Sequence, residues 1–145
     1  MPGLLARLLG RGRRREPVDL VDDGTLVLVG TAFDAARADS AVLAEMADTG
    51  VDLEARLLVR HHLWLPDGAA VEEARRLLAQ DGYAVVADPR DPERPDGPLA
   101  VRATRTQVLT ALSAAQERSR MAGLAQRLGG DVQGWDALAA PAEPA

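Results

Sequence analysis

Between residues 56 and 65 the chain reads RLLVRHHLWL. Leu57, Val59, His61, Leu63 and Leu65 fall on one register, and Arg56, Leu58, Arg60, His62 and Trp64 on the other. A period of two predicts a strand with one buried face and one face at least partly in water. Pro66-Asp67-Gly68 stops it, because proline has no N–H for a ladder and Asp-Gly favours a turn, while Asp67 is placed to cap a following helix. The period then changes. Val71, Ala74, Leu77 and Leu78 make a helical stripe, and Glu72 and Glu73 stand three or four residues before Arg75 and Arg76 on the water side. Gly82 can take the left-handed conformation that ends a helix, and Tyr83 to Val86 restart a β-rich run.

The flanks extend this β-α-β unit. Upstream, Thr25 to Val29 is apolar enough for a short strand. Asp39-Ser40 offers an N-cap to a helix carrying Val42, Leu43, Met46 and Ala47, and Gly50 closes it. Downstream, Pro89, Pro92, Pro95 and Pro98 with Gly97 predict an exposed loop at the tip of a hairpin. Leu99, Val101 and Ala103 then alternate with Ala100, Arg102 and Thr104, which predicts a strand antiparallel to Tyr83 to Val86. Thr106 can cap a long helix whose stripe is Val108, Leu112, Ala115, Ala122 and Ala125, joined by Leu109, Met121, Leu124 and Leu128. Gly129-Gly130 ends it, and Asp131 to Leu138 is expected as a last short edge strand. From Arg56 the order is β-α-β-β-α-β, an α/β (α+β) chain of the ferredoxin-like sandwich type, with an extra N-terminal helix and Thr25 to Val29 as an extra strand. The expected domain runs from 18 to 138. It starts with an acidic linker at Val18 to Asp23 and is flanked by a basic segment at 1–17 and a disordered Ala/Pro tail at 139–145.

Composition narrows the chemistry. The chain lacks cysteine, so thiol catalysis, disulfides and cysteine-ligated zinc are excluded, in keeping with a reducing, cytoplasmic setting. All 17 basic residues are arginine, which excludes lysine nucleophiles and Schiff bases. Residues 1–16 hold five arginines and one glutamate, net +4, which leaves −9 for the rest of a chain of net charge −5. An acidic body is a poor match for a phosphate backbone, so no direct nucleic-acid binding by the domain is expected. The N-terminal Leu4, Leu5, Leu8 and Leu9 followed by Arg11, Arg13, Arg14 and Arg15 allow two readings: weak contact with an anionic membrane or RNA, or a disordered tail.

Three segments share an order and spacing: Gly50-Val51-Asp52 before the central strand, His61-His62-Leu63 followed by Asp81-Gly82-Tyr83, and the closing Gly130 with Gly134-Trp135. Together they resemble the regulator of ribonuclease activity B (RraB) family, from about Asp39 to Leu138. The resemblance implies a small cytoplasmic α/β protein with no catalysis of its own, which binds a ribonuclease E-type endoribonuclease and changes which transcripts are cut. Val132 and Gln133 stand where the family's closing motif has Tyr and Asp, and the Arg-rich N-terminus is additional.

No phosphate loop, serine elbow or metal triad is present, so no catalytic residue and no cofactor is assigned. His61 and His62, the only histidines, point to opposite faces of one strand and cannot readily share a metal ion. His61 suits a satisfied core or sheet-edge position, and either histidine could serve a partner or sense pH. An RNA-binding sheet would need aromatics that this chain, with one Tyr, one Phe and two Trp, lacks. Arg60, His62 and Trp64 share a register and would form a cationic, aromatic protein-binding patch if that face is open, or packing if N-terminal elements cover it. Trp135 beside Gly134 is the fourth candidate: an anchor for a partner, or a ring that locks the last strand over the core. Two function classes follow, a protein-binding regulator of a ribonuclease and a peripheral membrane or scaffold module with an unrelated partner.

Overall fold

The computed structural model describes residues 18–142. Five strands and three helices alternate as β1 (Val27–Ala32), α1 (Asp39–Asp48), β2 (Leu57–Leu65), α2 (Gly68–Ala79), β3 (Ala84–Ala87), β4 (Leu99–Gln107), α3 (Ala111–Arg127) and β5 (Asp131–Ala139). The strands form one antiparallel sheet in the order β1-β5-β2-β4-β3. The three helices of the described residues lie on the face that carries the odd-numbered residues of β2.

That face is the core, and the alternation along β2 explains why. Leu63 and Leu65 pack with Val85, Val101 and Ala103 beneath α2 and α3, through Val71, Ala74, Leu78, Met121, Leu124 and Ala125. Leu57 and Val59 pack with Trp135 and Ala137 beneath α1, through Val42, Leu43 and Met46. Each such aliphatic side chain contributes about 1.5–3 kcal/mol by leaving water. The turn signals act as expected: the Asp67 carboxylate accepts from Ala70 N–H at 2.9 Å as the cap of α2, and Gly82 sits at φ +82° after it. On the water side of α2, Glu72 pairs with Arg75 and Glu73 with Arg76.

Several expectations are corrected by long-range pairing. Strand β5 is not an edge strand: it lies inside the sheet between β1 and β2, and its residues Trp135, Asp136, Ala137 and Leu138 are buried. It also takes in Ala139, one residue beyond its expected end at Leu138 and the first residue of the expected tail. The edge position falls to β1, which pairs with β5 from Val27↔Ala139 to Ala32↔Trp135. Strand β4 is longer than expected because it pairs with β2 along its whole length, from Leu57↔Gln107 to Leu65↔Leu99. Thr106 is therefore a strand residue, and Thr110 caps α3 in a reciprocal box with Ser113. The later start leaves Val108 and Leu112 exposed, Leu112 at 68%, while Ala114, Glu117, Met121, Leu124 and Ala125 face inward. Helix α1 is preceded by Ala38 with no side-chain cap, and Asp39 lies in its first turn. The carboxylate of Asp39 accepts from Trp135 Nε1 at 3.0 Å and pairs with Arg118 of α3, tying three elements together. The basic 1–17 segment and residues 143–145 of the tail lie outside the described residues.

Candidate functional site

Among the described residues, no helix lies on the second face of the sheet. The even register of β2 places Leu58, Arg60, His62 and Trp64 there, and the antiparallel partners of β2 add Arg102, Thr104 and Thr106 from β4 and Asp136 from β5. Two neighbouring strands thus bring together residues that are 74 to 76 positions apart in sequence.

Asp136 is the centre of this face. It is only 4% exposed. Its Oδ1 accepts from Arg60 Nε at 2.7 Å, and its Oδ2 from Arg60 Nη2 at 2.8 Å and from His62 Nε2 at 3.0 Å. The two-point Arg–carboxylate fork fixes both planar groups. Burial alone would raise the Asp136 carboxyl, but the hydrogen bonds from His62 and Arg60 outweigh it and hold the group below the usual carboxylate range. The same bond to Asp136 raises Arg60 above its already high value, so its charge is permanent. Phe33, in the turn after β1, meets the His62 ring edge-on with centroids 5.2 Å apart.

A bulge shapes the site. The pairing of β5 with β2 slips between His62↔Gly134 and Leu63↔Val132, so Gln133 is the extra residue. Gly134 takes φ +151° there, and a Cβ at this position would overlap the Ala32 carbonyl and stand 2.9 Å from Phe33 Cα. The glycine therefore lets the end of β1 close over β5 and carry Phe33 to His62. Val132 and Gln133 sit at this bulge.

Of the four candidates, Arg60, His62 and Trp64 stand together on this face, with Trp64 38% exposed beside the 88–98 loop. Trp135 does not join them: its ring is fully buried on the opposite, helix-covered face, bonded to Asp39. The two histidines separate as the period of two requires. His61 lies in the core, with Nε2 3.1 Å from Glu117 Oε1, and Gln107 donates to the other oxygen of Glu117 at 2.6 Å. Burial pushes Glu117 up, yet these bonds leave it below the ordinary carboxylate range. Tyr83 is pushed well up by burial and by the nearby Glu117, while the Arg105 guanidinium lies 4.2 Å from its ring centre.

Sequence reasoning missed three participants. Asp136 was recoverable in principle: its neighbour Trp135 is a core ring, and adjacent strand residues face opposite ways. Arg102 sat on the polar register of β4 with nothing to mark its partner. Asp22 had no local signal. The acidic stretch expected to be a linker lies instead across the open face: Leu20 N–H donates to Thr106 Oγ1 at 2.9 Å, Asp19 accepts from Arg56 Nη2 at 3.2 Å, and Asp22 binds both Arg60 and Arg102.

None of the described helices is long and apolar enough to cross a membrane. The family model described as regulator of ribonuclease activity B matches residues 36–137. Among curated proteins, none matches the chain.

Proposed function

Since the chain belongs to the regulator of ribonuclease activity B family, we propose that it binds a ribonuclease E-type enzyme and modulates its cleavage in the cytoplasm, without chemistry of its own. The observation that carries this reading is the family match itself. It runs from before α1 into β5 and takes in the sheet residues of the open face, Arg60, His62, Trp64, Arg102 and Asp136. The partly exposed Trp64 indole, beside an Arg60 guanidinium and a His62 imidazole that are mostly covered, is suited to protein contact, because Arg and Trp are enriched where partners bury energy. The strand order β5-β2-β4-β3, antiparallel throughout and with α2 and α3 on one face, supports a ferredoxin-like reading of the last four strands.

The test is cleavage of a model RNA by the host's ribonuclease E-type enzyme in the presence of stoichiometric full-length protein. Slower or redistributed cleavage is the expected result, and unchanged cutting would refute the proposal. Trp64→Ala, at a partly exposed site, is expected to leave the fold intact and weaken the effect about tenfold or more, as loss of an interface anchor does.

A further inference from the structure

We propose that the open face is a docking surface for an extended acidic segment of a partner protein, of the form acid, aliphatic, any residue, acid, and that residues 18–23 occupy that place until the partner arrives. The inference rests on the protein-binding reading of this face and adds the chemistry of what it binds.

The chain's own segment shows what fits. Asp19 and Asp22, three residues apart, reach Arg56 just before β2, Arg60 on β2 and Arg102 on β4. Asp19 Oδ1 lies 3.2 Å from Arg56 Nη2, Asp22 Oδ1 3.2 Å from Arg60 Nη1, and Asp22 Oδ2 3.1 Å from Arg102 Nη1. Between them Leu20 is half-buried at a cleft of about 390 Å³ shared with Leu58, Ala84, Thr104 and Thr106. Val18 and Val21 point into water, so the recognised positions are 19, 20 and 22.

The attachment rests on few contacts. Asp19 is 83% exposed in its side chain, and a single backbone N–H is bonded to the sheet, through Thr106 Oγ1. An ion pair as exposed as Asp19–Arg56 contributes about 0.2–1 kcal/mol, whereas the Asp22 side chain is 22% exposed and its pairs with Arg60 and Arg102 carry more of the attachment. The short tether to β1 adds to these contacts an effective concentration in the millimolar range. The face also has capacity to spare, since Arg56 Nη1 and Arg102 Nε are buried donors without an acceptor among the described residues. A partner segment with more carboxylate oxygens, or a larger aliphatic group for the cleft, would outcompete the tethered one. Arg60 also pairs with Asp136 and Arg102 with Asp88 at 3.1 Å, so the strip is only modestly basic in an otherwise acidic body, which selects a short acidic peptide rather than a general polyanion.

The test uses the full-length chain carrying Asp19→Asn and Asp22→Asn, which loosens the segment without touching the sheet, and a synthetic peptide PVDLVDDG with blocked ends as probe. Amide NMR shifts are followed at millimolar peptide. The expected result is saturable shifts at Leu58, Arg60, Thr104 and Thr106 in the substituted chain, about fivefold or more weaker binding in the unaltered chain where the tethered copy competes, and loss of the shifts with a peptide bearing Asn at the positions of Asp19 and Asp22. Adding Arg102→Gln should remove them as well. Equal shifts in both chains, shifts located elsewhere, no shifts at all, or stronger occupation of the same amides by an RNA oligonucleotide would each overturn the proposal. The probe contains no ribonuclease and the cleavage assay uses the unaltered chain, so each reading can fail separately.

Discussion

Replacing Asp136 by Asn tests whether a buried carboxylate organises the open face. Asparagine keeps the volume but removes the charge, and it turns an amide N–H₂ toward one of the two Arg60 donors now 2.7 and 2.8 Å away. Removing one member of a buried ion pair costs about 3–5 kcal/mol when the other is stranded. Arg60 is not fully stranded, because its side chain is 18% exposed and Asp22 still lies 3.2 Å from Nη1. The expected loss is therefore about 2–3 kcal/mol, below the fully buried case. The assay is urea unfolding at pH 7, repeated in steps down to pH 3.

The pH dependence has a definite sign. The folded carboxyl of Asp136 is held below its ordinary value, whereas the unfolded one titrates near about 3.9. As pH falls, the unfolded chain takes up its proton first. The stabilisation is thus complete above the unfolded pKa and is lost as pH drops through the folded one. The gap between the native chain and Asp136→Asn should stay near its full value from pH 7 to about 5 and shrink below about pH 4. Glu117, shifted in the same direction, is present in both proteins and cancels in the difference. A gap under about 0.5 kcal/mol at pH 7, or one that stays constant down to pH 3, would refute the reasoning.

Three further outcomes are expected. Gly130→Ala would drive a Cβ into the Trp64 carbonyl and to 3.0 Å from Leu65 Cδ2, so thermal unfolding should show a loss of about 2–3 kcal/mol; Gly68→Ala, with nothing within 4 Å of the new Cβ, should be neutral or gain about 0.4–1 kcal/mol, and similar losses at the two sites would contradict the packing described. With Trp64→Phe the remaining emission comes from a fully buried ring and should be blue-shifted and resist acrylamide, whereas Trp135→Phe should leave a quenchable signal and cost about 1–3 kcal/mol through the orphaned Asp39 bond; equal quenching in the two variants would place Trp135 at the surface. Met121→Ala should cost about 2–4 kcal/mol in urea, while Leu112→Gln, on the exposed side of α3, should stay within about 0.5; the reverse ranking would mean that the helix is rotated.

Local chemistry determined much of this protein. The alternation from Leu57 to Leu65, the stop at Pro66, the Asp67 cap and the stripe of α2 depend on neighbours within a turn or two, where propensity and sterics act without tertiary help. The same holds for Gly82, and for the parity that sends His61 inward and His62 outward. Even the register of Arg60, His62 and Trp64 was legible in this way. Strand order, by contrast, depends on which ladders bury the most surface, and residues far apart in sequence decide that. Placing β5 between β1 and β2 turned an expected edge into the sheet interior, sent Trp135 into the core and brought Asp136 to Arg60 and His62. Extending β4 along β2 converted Thr106 from a helix cap into the acceptor for Leu20 N–H and rotated Leu112 out to water. Asp22 and Arg102 meet across 80 positions of chain, and no periodicity within either segment encodes the other. The sequence alone therefore determined the faces of the elements, and the tertiary structure decided which charges share a face, because a side chain's direction is a local property and its partner is not.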